Sequence, residues 1–152
     1  MTRDTDLILT RSLAADPARL WRCWTEPALI VRWFAPAPVE TLLAEIEPRP
    51  GGRFRTVMRL PDGQEMDSAG CILLAEPARR LVFTDCLLPG FRPAREPFFT
   101  ADITFEAEGA GTLYTARALH ARPQEADRHA EMGFHQGWGA ATEQLDRLAR
   151  SL

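Results

Sequence analysis

Three histidines, three cysteines and three serines are the residues on which chemistry could be built in this 152-residue chain. His129 and His135 are six apart, about 600° around a helix, so they face different ways and cannot form an i, i+4 metal pair. No H-x-x-x-H, H-E-x-x-H or Cys/His spacing occurs, so no metal and no cofactor is expected. His120 ends a strand-like segment and is placed to reach a cavity mouth. His135 borders an apolar helix stripe, as a cavity hydrogen-bonding group or as a flank residue satisfied by backbone or solvent. Ser12, Ser68 and Ser151 lie outside any G-x-S-x-G, so no ordered nucleophile can be argued. Cys23, Cys71 and Cys86 form no C-x-x-C and read as reduced, mostly buried thiols. Asp85 and Glu45 fall within strands. Either could be a buried acid or base, but a solvated carboxylate on the outer face is the better reading. No residue is assigned a catalytic role.

Composition narrows the field further. There is no lysine, which excludes Schiff-base and P-loop chemistry, and no asparagine, which excludes N-glycosylation. All 18 basic residues are arginines, scattered singly or in pairs, and the net charge is −3. No basic stripe points to nucleic acid. The polar start, Met1-Thr2-Arg3-Asp4-Thr5-Asp6, leads into no apolar signal segment, and no apolar run is long enough to span a membrane. A soluble, cytoplasmic protein of one domain over residues 1–152 is expected.

The elements that must carry these residues follow from periodicity. Leu7 to Leu13 alternates at period two and reads as a strand. Asp16-Pro17 and Glu26-Pro27 are helix starts, giving two short helices in tandem, closed by Pro36 and Pro38. Segments Val39 to Glu47, Arg53 to Leu60, Gln64 to Ala75 and Arg79 to Asp85 read as strands separated by Pro/Gly/Asp turns. Leu88 to Pro97 is a loop. In the next strand Phe99, Ala101, Ile103 and Phe105 face inward, and Thr100, Asp102, Thr104 and Glu106 face outward. Thr112 to Leu119 is the last strand. From Pro123 to Leu152, Phe134, Trp138, Ala141, Leu145, Leu148 and Leu152 form one stripe of a long amphipathic helix. Gly133, Gly137 and Gly139 are costly in that helix; Gly137 would permit close approach to a sheet, or the stretch is kinked. The order implies an α+β layer pair: a curved antiparallel sheet with a helix across it and an apolar gap between.

Four stretches resemble a known family. They are Arg11 to Pro36, with its Asp16-Pro17 and Trp21-x-x-Trp24; the turn Arg49-Pro50-Gly51-Gly52-Arg53-Phe54; the turn and strand Glu76-Pro77-Ala78-Arg79-Arg80-Leu81-Val82-Phe83-Thr84; and His129 to Trp138. The family is the homologue group named after the activator of the heat-shock-protein-90 ATPase, within the START-like (birch-pollen-allergen-like) superfamily. Phe134 stands where the family usually has tryptophan. The resemblance implies a helix-grip fold: seven antiparallel strands, two short helices and a long C-terminal helix over a cavity. It also implies a small apolar ligand in that cavity. The alternatives are a cyclase or hydrolase using the same space, or a chaperone-cofactor-like interaction module, with a homodimer possible. The residues expected to line the cavity are Trp33, Phe54, Met58, Phe83, Phe99, Tyr114, His120, Phe134, His135 and Trp138.

Overall fold

The computed structural model describes residues 3–152. Each strand expected from alternation is present. β1 (Asp6–Leu13), β2 (Glu40–Ile46), β3 (Arg53–Arg59), β4 (Glu65–Glu76), β5 (Arg80–Thr84), β8 (Thr100–Glu108) and β9 (Gly111–Leu119) form one antiparallel sheet in the order β1-β9-β8-β5-β4-β3-β2. The Pro-rich loop after β5 holds two further two-residue strands, β6 (Leu87–Leu88) and β7 (Arg92–Pro93), paired with each other. Hairpins join consecutive strands from β2 to β5, and β8 to β9. The excursion from β1 through the helices returns the chain to the far edge of the sheet.

Strand periodicity sets which face is covered. On β8, Ala101, Ile103 and Phe105 are buried, and opposite them on β9 lie Ala118, Ala116 and Tyr114. On the other face Asp102 is buried rather than solvated. Arg80 grips it with two bonds of 2.9 and 2.8 Å, Arg117 lies 3.9 Å away, and their aliphatic stems shield it. Glu45 pairs with Arg55 at 2.8 Å and is partly exposed, as a carboxylate on the outer face would be.

α1 (Pro17–Thr25) begins where Asp16 accepts the Arg19 amide at 2.8 Å and Pro17 occupies the first turn. It buries Leu20, Cys23 and Trp24. α2 (Pro27–Ile30) is a single turn that buries Ile30. The C-terminal helical stretch is two helices, α3 (Pro123–Glu131) and α4 (Phe134–Arg150). The break falls at Gly133, whose φ of +93° a residue with a Cβ disfavours. α4 carries the apolar stripe and is tied to the β1–α1 turn by Asp146, which accepts the Ala15 amide at 3.0 Å; from β9, Thr112 donates to the Ala15 carbonyl at 2.8 Å. No helix among the described residues is long and apolar enough to cross a membrane.

Candidate functional site

The concave side of the sheet has a filled half and an open half. Under the helices, Trp24, Tyr114, Phe134, Leu20 and Leu145 are all fully buried. The Trp24 indole donates to the Tyr114 hydroxyl at 3.2 Å, and buried Thr142 lies near it. Burial holds the Tyr114 phenol far above its usual range, so it stays neutral and its oxygen is already engaged. Burial also pushes the Cys23 thiol up to about 11, which leaves it inert.

Over β3, β4 and β5 the sheet is less covered. A cavity of about 160 Å³ opens there, walled by Phe34, Phe54, Met58, Phe83 and Phe99. Phe54 and Phe83 stack with centroids 4.6 Å apart and planes 10° from parallel. The polar groups at its edge are Thr56, Ser68, Thr84 and Asp85. Gly70 belongs to the same wall; a Cβ there would collide with the Thr84 carbonyl. One oxygen of Asp85 accepts the Phe98 and Phe99 amides at 2.7 and 3.1 Å, which holds Phe99 against the cavity.

Of the residues expected to line a cavity, the structure brings four together here: Phe54, Met58, Phe83 and Phe99. The others lie elsewhere. Trp33 donates to the Cys23 carbonyl at 2.8 Å and faces a separate cleft beside α4. Tyr114 and Phe134 plug the helix side, and Trp138 rests on Phe99 and Phe134 at 6.1 and 5.2 Å. His135 is exposed next to Phe134. No α3 or α4 residue lines the cavity, because their large side chains fill the space beneath them. Of the large side chains on the wall, Phe34 is outside the expected set. Thr56 shares the face of Phe54 and Met58 by strand alternation and could have been found from it.

His120 is buried, and its partner is His129, at 2.9 Å between His120 Nε2 and His129 Nδ1. The tautomers follow from the partners. His120 Nδ1 lies 2.8 Å from the Thr5 carbonyl and must donate to it. When both rings are neutral, its Nε2 accepts and His129 Nδ1 donates. Phe98, Phe99 and Phe134 pack within 4.8–5.2 Å of the His129 ring, and Arg128 lies over Phe98. Burial, and then the neighbouring His120, lower the His129 pKa to about 4. No group of three or more His, Cys, Asp or Glu gathers around a point among the described residues.

A curved seven-stranded antiparallel sheet gripping a C-terminal helix defines the helix-grip class of α+β proteins. The family profile described as activator of Hsp90 ATPase homolog 1-like protein matches residues 14–150, and the chain belongs to that family. Protein NE0264 from Nitrosomonas europaea has the same structure, with TM-score 0.96 and 39% identity over 99% of this chain and 97% of that one. A Rhodobacter sphaeroides protein is 25% identical with TM-score 0.84, over 99% and 95% of the two chains. An AHSA1-like protein from Aeromonas hydrophila, 20% identical over 96% and 92% with TM-score 0.70, shares the fold. Among curated proteins none matches.

Proposed function

We propose that this protein binds a small apolar molecule against the concave face of its sheet. The observation that carries the reading is the cavity of about 160 Å³ walled by five apolar side chains with a few polar atoms at its edge. That pattern of apolar walls and sparse orienting groups is what small-molecule sites share. Membership of a helix-grip family is compatible with it. The space is close to the ~150 Å³ that admits one benzene ring. The ligand is therefore a single ring or a short branched chain, stacked beside Phe54 and Phe83. A hydroxyl on it would reach the polar edge at Thr56, Ser68 or Asp85. Removal of its apolar surface from water supplies most of the affinity, at roughly 25 cal/mol per Å².

The probe is p-cresol. It should raise the melting temperature in a concentration-dependent way, because it binds only the folded chain. Met58→Trp fills the cavity and should abolish that rise while leaving the protein folded. No rise in the wild type, or an equal rise in M58W, removes this reading.

A further inference from the structure

The polar edge of the cavity over β3, β4 and β5 is only partly committed to the protein. The Thr84 hydroxyl is shared with that of Thr100 at 2.8 Å and accepts the Cys86 amide at 3.0 Å. Asp85 Oδ1 is taken by the Phe98 and Phe99 amides at 2.7 and 3.1 Å. Asp85 Oδ2 accepts no hydrogen bond, and no arginine or histidine nitrogen lies within 4.0 Å of the carboxylate among the described residues. Gly70 explains how this carboxylate comes to the cavity. A Cβ there would lie 3.7 Å from Asp85 Cα and collide with the Thr84 carbonyl, so the glycine lets the end of β5 lie close over β4.

Thr56 supplies an independent observation. It is only 3% exposed, yet its hydroxyl has no hydrogen-bond partner among the described residues. Unlike Thr41 Oγ1, which is sealed in, it keeps open surface, and the cavity is what it lines. A hydroxyl so placed calls for a partner from inside the cavity. No basic side chain stands on the wall. A carboxylate ligand would therefore meet an unpaired like charge, and a neutral hydroxyl could give Asp85 one ordinary hydrogen bond. An ammonium brings three N–H donors and the opposite charge, and phenylalanine rings attract a cation that aliphatic walls would not. We infer that the cavity selects a small primary amine with an apolar body: the ammonium donates to Asp85 Oδ2 at the edge, the Thr56 hydroxyl is the more buried polar contact, and a ring or branched chain lies against Phe54 and Phe83. The inference rests on the cavity being a ligand site, as proposed above, and its test separates the two.

Benzylamine, benzyl alcohol and benzoate share a ring and differ in charge. They are titrated at neutral pH into ¹⁵N-labelled wild type and variants. In the wild type, benzylamine should shift the Phe98 and Phe99 amides, which are bonded to Asp85. It should bind about tenfold tighter than benzyl alcohol, the margin of a charge-assisted over a neutral hydrogen bond, and benzoate should bind weakest. Salt at about 1 M should shrink that margin. Asp85→Asn keeps an oxygen for the two amides and loses the charge, so the amine and the alcohol should bind it about equally. Thr56→Val keeps the shape and loses the hydroxyl, and should weaken benzylamine about threefold or more. M58W, whose cavity is filled, should bind neither. Benzylamine no tighter than benzyl alcohol in the wild type overturns the inference without recourse to any variant. A preference that survives in D85N, unchanged benzylamine affinity in T56V, or binding retained in M58W would each overturn it as well. If p-cresol still raises the melting temperature in any of these cases, the cavity remains a ligand site and only its selectivity for amines is lost; if p-cresol fails too, both readings fall.

Discussion

His129 is held across the turn between β9 and α3. Its ring is donated to His120 and enclosed by Phe98, Phe99 and Phe134, so the fold holds it neutral. A histidine with pKa about 4 in the folded chain and 6.5 in the unfolded one binds more protons when unfolded between those values. Its contribution is complete above about pH 6.5 and is lost as pH falls towards 4. At full extent it is on the order of 3 kcal/mol. Arg128 lies over Phe98 beside the pair, and Glu125 is on the same helix. Glu125 is held below its usual range chiefly by its hydrogen bond from Arg122, so its contribution disappears only below about pH 4.5. The loss expected from His129 between pH 6.5 and 4.5 is therefore separate from that of Glu125. Urea unfolding at pH 7.0, 5.5 and 4.5 should show the wild type weakening over this range. His129→Gln, which can still donate to His120 Nε2, should be flatter. Equal slopes in the two proteins would place the acid sensitivity elsewhere. The pair was invisible to helical-wheel reasoning, which compares His129 only with neighbours on its own helix. It is made across the turn between β9 and α3, from residues nine apart.

At the scale of elements, period two was legible and helix continuity was not. Residues 99–105 alternate because one face of β8 meets the helices and the other does not, and a one-residue slip would expose every buried side chain. The three glycines of the C-terminal stretch carried an ambiguous signal, since composition cannot tell a left-handed break from a tolerated interior glycine. The backbone separates them. Gly133 sits at φ +93°, and a Cβ on it would meet only Gln136 Oε1, at 3.9 Å, so space is available and conformation is not. Gly137 lies inside α4 with Pro36 Cγ at 3.9 Å, an ordinary contact, so it does not serve close approach to a sheet. Opposite outcomes are expected from the same substitution. Gly133→Ala should destabilise by about 1–2 kcal/mol, the cost of a left-handed alanine. Gly137→Ala should stabilise by roughly 0.5–1 kcal/mol through helix propensity. Chemical denaturation of the two variants measures both; the same sign in both would mean that α3 and α4 do not meet as described.

For the molecule as a whole, the division between a plugged half and an open half limits the size of ligand that the proposed site would take. Periodicity, with the family resemblance beside it, made the sheet, the helices and four of the wall residues legible. It could not show where large side chains would accumulate. Trp24, Tyr114, Phe134 and Leu145 consume the space beneath the helices, and opening it would sever the Trp24–Tyr114 bond and expose a buried phenol. The remaining cavity is smaller than the roughly 300 Å³ at which pockets for larger ligands begin. Two-ring molecules should therefore be rejected: 2-naphthol should leave the melting temperature unchanged at concentrations where p-cresol raises it. Phe34 is the one side chain that lines both the cavity and the cleft beside α4. Phe34→Ala should join the two spaces, at a cost in stability of about 3 kcal/mol or less, because the ring is only partly buried. The enlarged site should then accept 2-naphthol. Wild-type protein that binds 2-naphthol as well as it binds p-cresol would show that the aromatic walls yield, and that volume does not set the selectivity of this fold.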